Sequence, residues 1–162
     1  MDTNDSLGLV QTLAERLQAR GWQMATAESC TGGLIAAACT ELAGSSAWFD
    51  RGFVTYSNQA KTDLLGVDAD LIATHGAVSE PVARAMAEGA VQRAGVQIAV
   101  AVTGIAGPTG GTPDKPVGTV WLAWAGQGLH TRAVRVCFDG DRARIRAQTC
   151  EAALSGLIQA LS

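Results

Sequence analysis

Four short stretches carry side chains that chemistry can use. The first is AESCTGG, Ala27 to Gly33. A serine at position 29, set at a helix N-cap, would stand beside the free N–H groups of the first turn, where the helix dipole also favours negative charge. Such a serine can attack a carbonyl carbon and leave the resulting oxyanion against the amides near Thr31 and Gly32. Plain capping also accounts for Ser29, but it leaves Gly32 and Gly33 unexplained. Each glycine costs roughly 1 kcal/mol relative to alanine within a helix, so the pair suggests backbone left bare for a ligand.

A serine nucleophile needs a base. His75 and His130 both lack the local context of a triad member. YSNQAK, 56–61, offers Tyr56 at a strand end and Lys61 one turn into the following helix, both able to point to the same end of a sheet as Ser29. Lysine serves as a base only where desolvation or a nearby cation leaves it neutral. The competing reading is an exposed lysine beside a half-buried tyrosine.

The third stretch, TGIAGPTGGTPDKPVG, runs from Thr103 to Gly118. A connection of that length without regular structure is uncommon in a compact domain and is usually a binding loop or disordered. Gly104 and Gly107 would let a ligand lie against the chain, although the glycines match neither GxxxxGK[ST] nor GxGxxG. The fourth, DGDRARIRAQ, opens the last helix and places Arg142 and Arg146 on one face near the positive end of its dipole. An anion held between them would relieve that conflict, and Asp139 and Asp141 would relieve it equally well as a solvated charged face.

The elements needed to position these residues can be read from the pattern. A helix capped by Asn4 or Asp5 places Leu9, Val10, Leu13 and Leu17 on one face and stops at Gly21. Strands are expected over 22–27, 48–56 and 98–103, the last apolar without polar alternation and therefore covered on both faces. Helices are expected over 31–43, from an Asn58 cap to Gly66, onward to His75, from a Ser79 cap to Gly95, and from Asp141 to Leu161. GTVWLAWAG and LHTRAVRVCF, separated by Gly126 and Gly128, read as an antiparallel hairpin. The sum is a three-layer α/β/α arrangement with a mixed parallel and antiparallel sheet, in which ligands gather at strand ends.

Composition sets the outer bounds. The 162 residues suit one domain spanning 1–162, with 48% apolar and 17% charged residues excluding a disordered chain. Apolar runs are too short and interrupted to cross a bilayer. A formal charge of −3 with interleaved signs offers no cationic field for nucleic acid. Cys30, Cys39, Cys137 and Cys150 form no CxxC pair, and MDTNDSLG is no signal peptide, so reduced thiols and a cytoplasmic location are expected. Two histidines give a zinc site little to build on.

Taken in order, AESCTGG, YSNQAK, HGAVSEPVA, VTGIAGPTGG, KPVGTV and FDGDRARIR resemble the CinA C-terminal domain family, whose characterised enzymes are nicotinamide mononucleotide amidohydrolases. The resemblance runs from about the first helix to the end of the chain and is to the stand-alone form. It implies hydrolysis of nicotinamide mononucleotide to nicotinic acid mononucleotide and ammonia within pyridine-nucleotide recycling, with no metal or organic cofactor. It places the nucleophile on Ser29, the base on Lys61 and an active-site tyrosine on Tyr56, which would relay protons or keep Lys61 neutral. Cys30, Thr31, Gly32 and Gly33 would lie nearest the amide, Thr103, Gly104 and Gly107 against the ring or ribose, and Arg142 or Arg146 at the phosphate. Members commonly form homodimers, and a hairpin edge is compatible with one. The alternatives are a non-catalytic nucleotide-binding regulatory module and an amidase for another small amide.

Overall fold

The computed structural model describes the backbone from residue 3 and side-chain surroundings from residue 6. Helix α1 (Thr3–Arg20) buries Val10, Leu13 and Leu17 at helical spacing, with Leu9 packed at the margin. Asn4 and Asp5 fall inside this helix rather than before it, and their side chains lie outside the described residues. The chain then runs through β1 (Met24–Glu28), α2 (Leu34–Thr40), a 3-10 turn (Ser45–Ala47) and β2 (Phe49–Val54). Next come α3 (Asn58–Leu65), α4 (Ala69–His75), α5 (Glu80–Ala94), β3 (Ile98–Gly104), β4 (Thr119–Gly126), β5 (Arg132–Cys137) and α6 (Arg142–Ala160).

The strands form one sheet in the order β2-β1-β3-β4-β5. β1 is parallel to both neighbours, while β4 and β5 form the expected antiparallel hairpin against β3. The expected three-layer fold with a mixed sheet is therefore present. From β1 the chain goes outward to β2 and then crosses to β3 on the other side, so the order reverses at β1. Loops leaving the carboxyl ends of β1 and β3 diverge there and open a crevice.

Successive side chains of a strand face opposite sides of the sheet, and the central strands sort by size instead of polarity. Met24, Ile98, Val100, Val102, Val120 and Leu122 pack with α1, α2 and α6. Ala25, Ala27, Ala99, Ala101, Ala123 and Ala125 pack with α5 and the ends of α3 and α4, giving that layer a flat floor on which Met86, Val82 and Ile72 rest. Burial of such larger side chains contributes about 1.5 to 3 kcal/mol each. The resulting rigid sheet brings Glu28 level with Val54 on one side and Val102 on the other. Residues that follow these three positions therefore meet at one end of the sheet.

Candidate active site

Pairing continues past the strand ends and fixes the start of each loop. The Ser29 amide donates to the Val102 carbonyl at 3.1 Å, and the Thr55 amide donates to the Glu28 carbonyl at 2.7 Å. Ser29 is thereby held between the β2 and β3 termini.

Ser29 is not the N-cap of α2, as its sequence position suggested. α2 begins only at Leu34, and the intervening SCTGG residues form a turn closed by the Gly32 amide donating to the Ser29 carbonyl at 3.0 Å. Gly32 and Gly33 have φ of 58° and 110°, a left-handed backbone that costs other L-residues roughly 1 to 2 kcal/mol. The glycine pair is thus required by the turn itself.

The helix terminus is capped from an unexpected direction. Glu28, fully buried at the end of β1, accepts the amides of Gly33, Ile35 and Ala36 at 3.2, 2.9 and 3.0 Å and the Thr31 hydroxyl at 2.6 Å. These donors offset the desolvation of the carboxylate. A sequence signal for this role existed: an acid ends a strand that carries no other charge, and the helix 34–40 has no polar N-cap residue of its own.

The same bonding decides which amides remain for an oxyanion. Gly32, expected to help hold it, spends its N–H on closing the turn. Those of Thr31 and Cys30 donate to no other residue among those described. Two adjacent N–H groups that donate to no other residue, beside a serine hydroxyl, are the arrangement an oxyanion requires. Burial pushes the neighbouring Cys30 thiol up to about 11, against a smaller opposing pull from its own backbone amide, so the thiol stays protonated and is no competing nucleophile.

Lys61 comes from the first turn of α3, which is capped by Ser57, not Asn58: the Ser57 hydroxyl accepts the Ala60 amide at 3.0 Å. Its side chain is 2% exposed, with Nζ 3.1 Å from Ser29 Oγ and donating to the Thr55 carbonyl at 2.9 Å. Burial lowers its pKa from the ordinary lysine value, with a smaller opposing effect from Cys30. The side-chain ion pairs among the described residues, Arg51–Asp50 and Arg84–Glu80, do not involve it. Without a carboxylate partner, a lysine here is driven toward its neutral form. The Thr55 carbonyl, which takes one of its N–H groups, carries no mark in sequence because any residue supplies a carbonyl.

Tyr56 is 61% exposed and makes no hydrogen bond with Lys61 or Ser29; its hydroxyl accepts from Arg142 Nη2 at 2.8 Å. Arg142 Nη1 donates to the Gly107 carbonyl at 2.9 Å, tying the start of α6, the loop after β3 and the end of β2 together at the rim. Arg146, one turn further along, instead donates Nε to the Cys30 carbonyl at 3.1 Å and Nη2 to the Thr31 carbonyl at 3.0 Å. Thr103 is buried and gives its hydroxyl to the Ala77 carbonyl at 2.9 Å. At Gly104 a Cβ would lie 2.6 Å from Val120, and at Gly107 it would run into Val117, so close packing of the loop favours glycine at both positions. No group of three or more His, Cys, Asp or Glu side chains among the described residues is arranged to hold a metal, and no described helix is long and apolar enough to cross a membrane.

A mixed sheet with a serine and a buried lysine paired at its topological switch point defines an α/β protein whose candidate site is at the carboxyl ends of parallel strands. The chain belongs to the CinA C-terminal domain family, whose model matches residues 7–161. It is 51% identical over 162 residues to the nicotinamide-nucleotide amidohydrolase PncC of Escherichia coli (strain K12), covering 98% of this chain and 96% of that protein. Identity to the protein of the same name from Pseudomonas putida is 55% over 151 residues, covering 93% and 94%. A CinA-like protein from Akkermansia muciniphila is 56% identical over 136 residues, but the match spans only 33% of its length. The crystal structure of a competence/damage inducible protein from Agrobacterium tumefaciens superposes with a TM-score of 0.95 at 47% identity, covering 98% of this chain and 96% of that one.

Proposed function

We propose that this chain hydrolyses the carboxamide of nicotinamide mononucleotide to nicotinic acid mononucleotide and ammonia through Ser29 and Lys61. The observation that carries the mechanism is the buried Lys61 Nζ, 3.1 Å from Ser29 Oγ and without a carboxylate partner. Support for the substrate comes from two relatives named nicotinamide-nucleotide amidohydrolase and matched over nearly their whole lengths.

Neutral Lys61 takes the Ser29 hydroxyl proton as Oγ bonds to the carboxamide carbon. The carbonyl electron pair moves onto oxygen, and the amides of Cys30 and Thr31 receive that charge. As the intermediate collapses, the carbon–nitrogen bond breaks and the Lys61 ammonium returns its proton to the departing nitrogen, releasing ammonia. The ester left on Ser29 is then attacked by water, whose proton passes to Lys61 and finally to Ser29 Oγ as nicotinic acid mononucleotide leaves.

Arg142 is exposed at the rim and takes the phosphate, while Tyr56 beside it borders the pyridine ring. Gly107 lies behind Arg142, with Thr103 and Gly104 supporting the loop. Purified protein given nicotinamide mononucleotide, nicotinamide riboside and free nicotinamide in parallel tests the reading by ammonia release. Preference for the phosphorylated compound is expected. Release from free nicotinamide at an equal or greater rate would make the chain an amidase for another small amide.

A further inference from the structure

We infer that Arg146 is a positioning residue of the oxyanion site, acting through the Cys30–Thr31 peptide, and not a ligand of the substrate phosphate. The inference rests on the amidohydrolase reading for its substrate, but on bonding alone for its geometry. Arg146 Nε donates to the Cys30 carbonyl, which is the other end of the peptide group whose N–H belongs to Thr31. Nη2 donates to the next carbonyl, that of Thr31. A cation at a carbonyl oxygen draws electron density from the amide nitrogen and makes its N–H a stronger donor, the same mutual polarisation that strengthens hydrogen-bond chains.

Glu28 completes the arrangement from the opposite pole. Its carboxylate takes the Thr31 hydroxyl and the amide of Gly33. The turn is therefore clamped with the carbonyls of Cys30 and Thr31 on a guanidinium and its later amides on a carboxylate, leaving the amides of Cys30 and Thr31 with no other residue to donate to. The guanidinium also packs against the turn: a Cβ at Gly32 would lie 3.6 Å from Arg146 Nη2. With two of its nitrogens committed inward, Arg146 differs from Arg142, which sits exposed at the rim.

The test compares wild type, Arg146→Gln and Arg146→Lys in three assays: steady-state ammonia release from nicotinamide mononucleotide, the same from nicotinamide riboside, and the Ser29-dependent burst with p-nitrophenyl acetate, which reports acylation whatever the natural substrate. Arg146→Gln is expected to lower kcat on both compounds by the same factor, on the order of tenfold or more, short of the roughly 10² to 10³ lost when an oxyanion donor is removed outright. KM is expected to stay within about twofold, the burst to slow by a factor like that in kcat, and Arg146→Lys to recover part of both. A loss confined to KM for the phosphorylated compound, or an unchanged burst, overturns the inference. If Arg146→Gln unfolds, Arg146→Lys decides by the same criteria. Wild type that shows the burst but hydrolyses neither pyridine compound defeats the substrate reading alone, and the burst rates still decide the role of Arg146.

Discussion

Lys61 Nζ stands 3.1 Å from Ser29 Oγ, although one residue follows β1 and the other opens α3. The serine is partly exposed and the lysine is sealed beneath it, so the pair has a wet side and a dry side that disfavours charge.

Ser29→Ala is expected to cut ammonia release by more than about a thousandfold, the scale on which nucleophile removal acts when base and oxyanion site remain. Its effect on thermal unfolding should be small, because one hydroxyl contact contributes only about 0.5 to 1.5 kcal/mol. A large loss of stability with activity retained in the folded fraction would make the serine a structural part of the turn.

Burial of Lys61 has a pH signature. Its folded pKa is lowered, so between that value and the ordinary lysine pKa near 10.4 the unfolded chain binds a proton that the folded chain lacks. Stability of the wild type therefore rises with pH across that window relative to a chain without the amine. Lys61→Met, compared with wild type by denaturant unfolding, should lose ground as pH rises from the folded pKa toward the ordinary lysine value. A constant difference would mean that Lys61 titrates as an ordinary lysine and would remove the base from the mechanism. Activity should correspondingly fall as pH drops through the folded pKa and the amine becomes protonated.

The sheet was readable because its signals are local: apolar runs, glycine stops and a hairpin turn. The strand over 98–103 was correctly expected to be buried on both faces, and the observed order of the sheet places every singled-out stretch near its carboxyl end. The turn at Ser29 was not readable, because SCTGG satisfies a helix-start pattern and only the tertiary capping by Glu28 shows that α2 starts later. Arg142 and Arg146 look alike in sequence, being four apart on one helix. Position relative to the turn separates them: one reaches Tyr56 and Gly107, the other the carbonyls of Cys30 and Thr31.

Glu28 should tolerate little. In Glu28→Gln the amide oxygen can keep the donors now gathered at Oε1, but its NH2 group then faces the Ala36 amide that Oε2 accepts. One buried donor without an acceptor costs about 1 to 3 kcal/mol, so urea unfolding should show a loss of that size, accompanied by a lower kcat as the turn loosens. Glu28→Ala strands all the donors and should lose more. Unchanged stability in both variants would mean that the carboxylate does not hold the α2 terminus.

Arg142 and Tyr56 form one unit at the rim, and the two variants separate phosphate binding from proton handling. Arg142→Ala should lower kcat/KM for nicotinamide mononucleotide by about 10- to 100-fold, as expected for loss of a charge-assisted contact of roughly 1.5 to 3 kcal/mol. It should leave nicotinamide riboside nearly untouched, and because the guanidinium is exposed, the wild-type preference for the phosphorylated compound should narrow at high salt. Tyr56→Phe removes the oxygen that now accepts from Arg142 Nη2. If the tyrosine steadies the arginine, this variant should raise KM for the phosphorylated compound and leave kcat on both compounds close to wild type. A fall in kcat on both compounds at constant KM would instead place the phenol in the proton path of Lys61, requiring the ring to swing inward from its present contact when substrate binds.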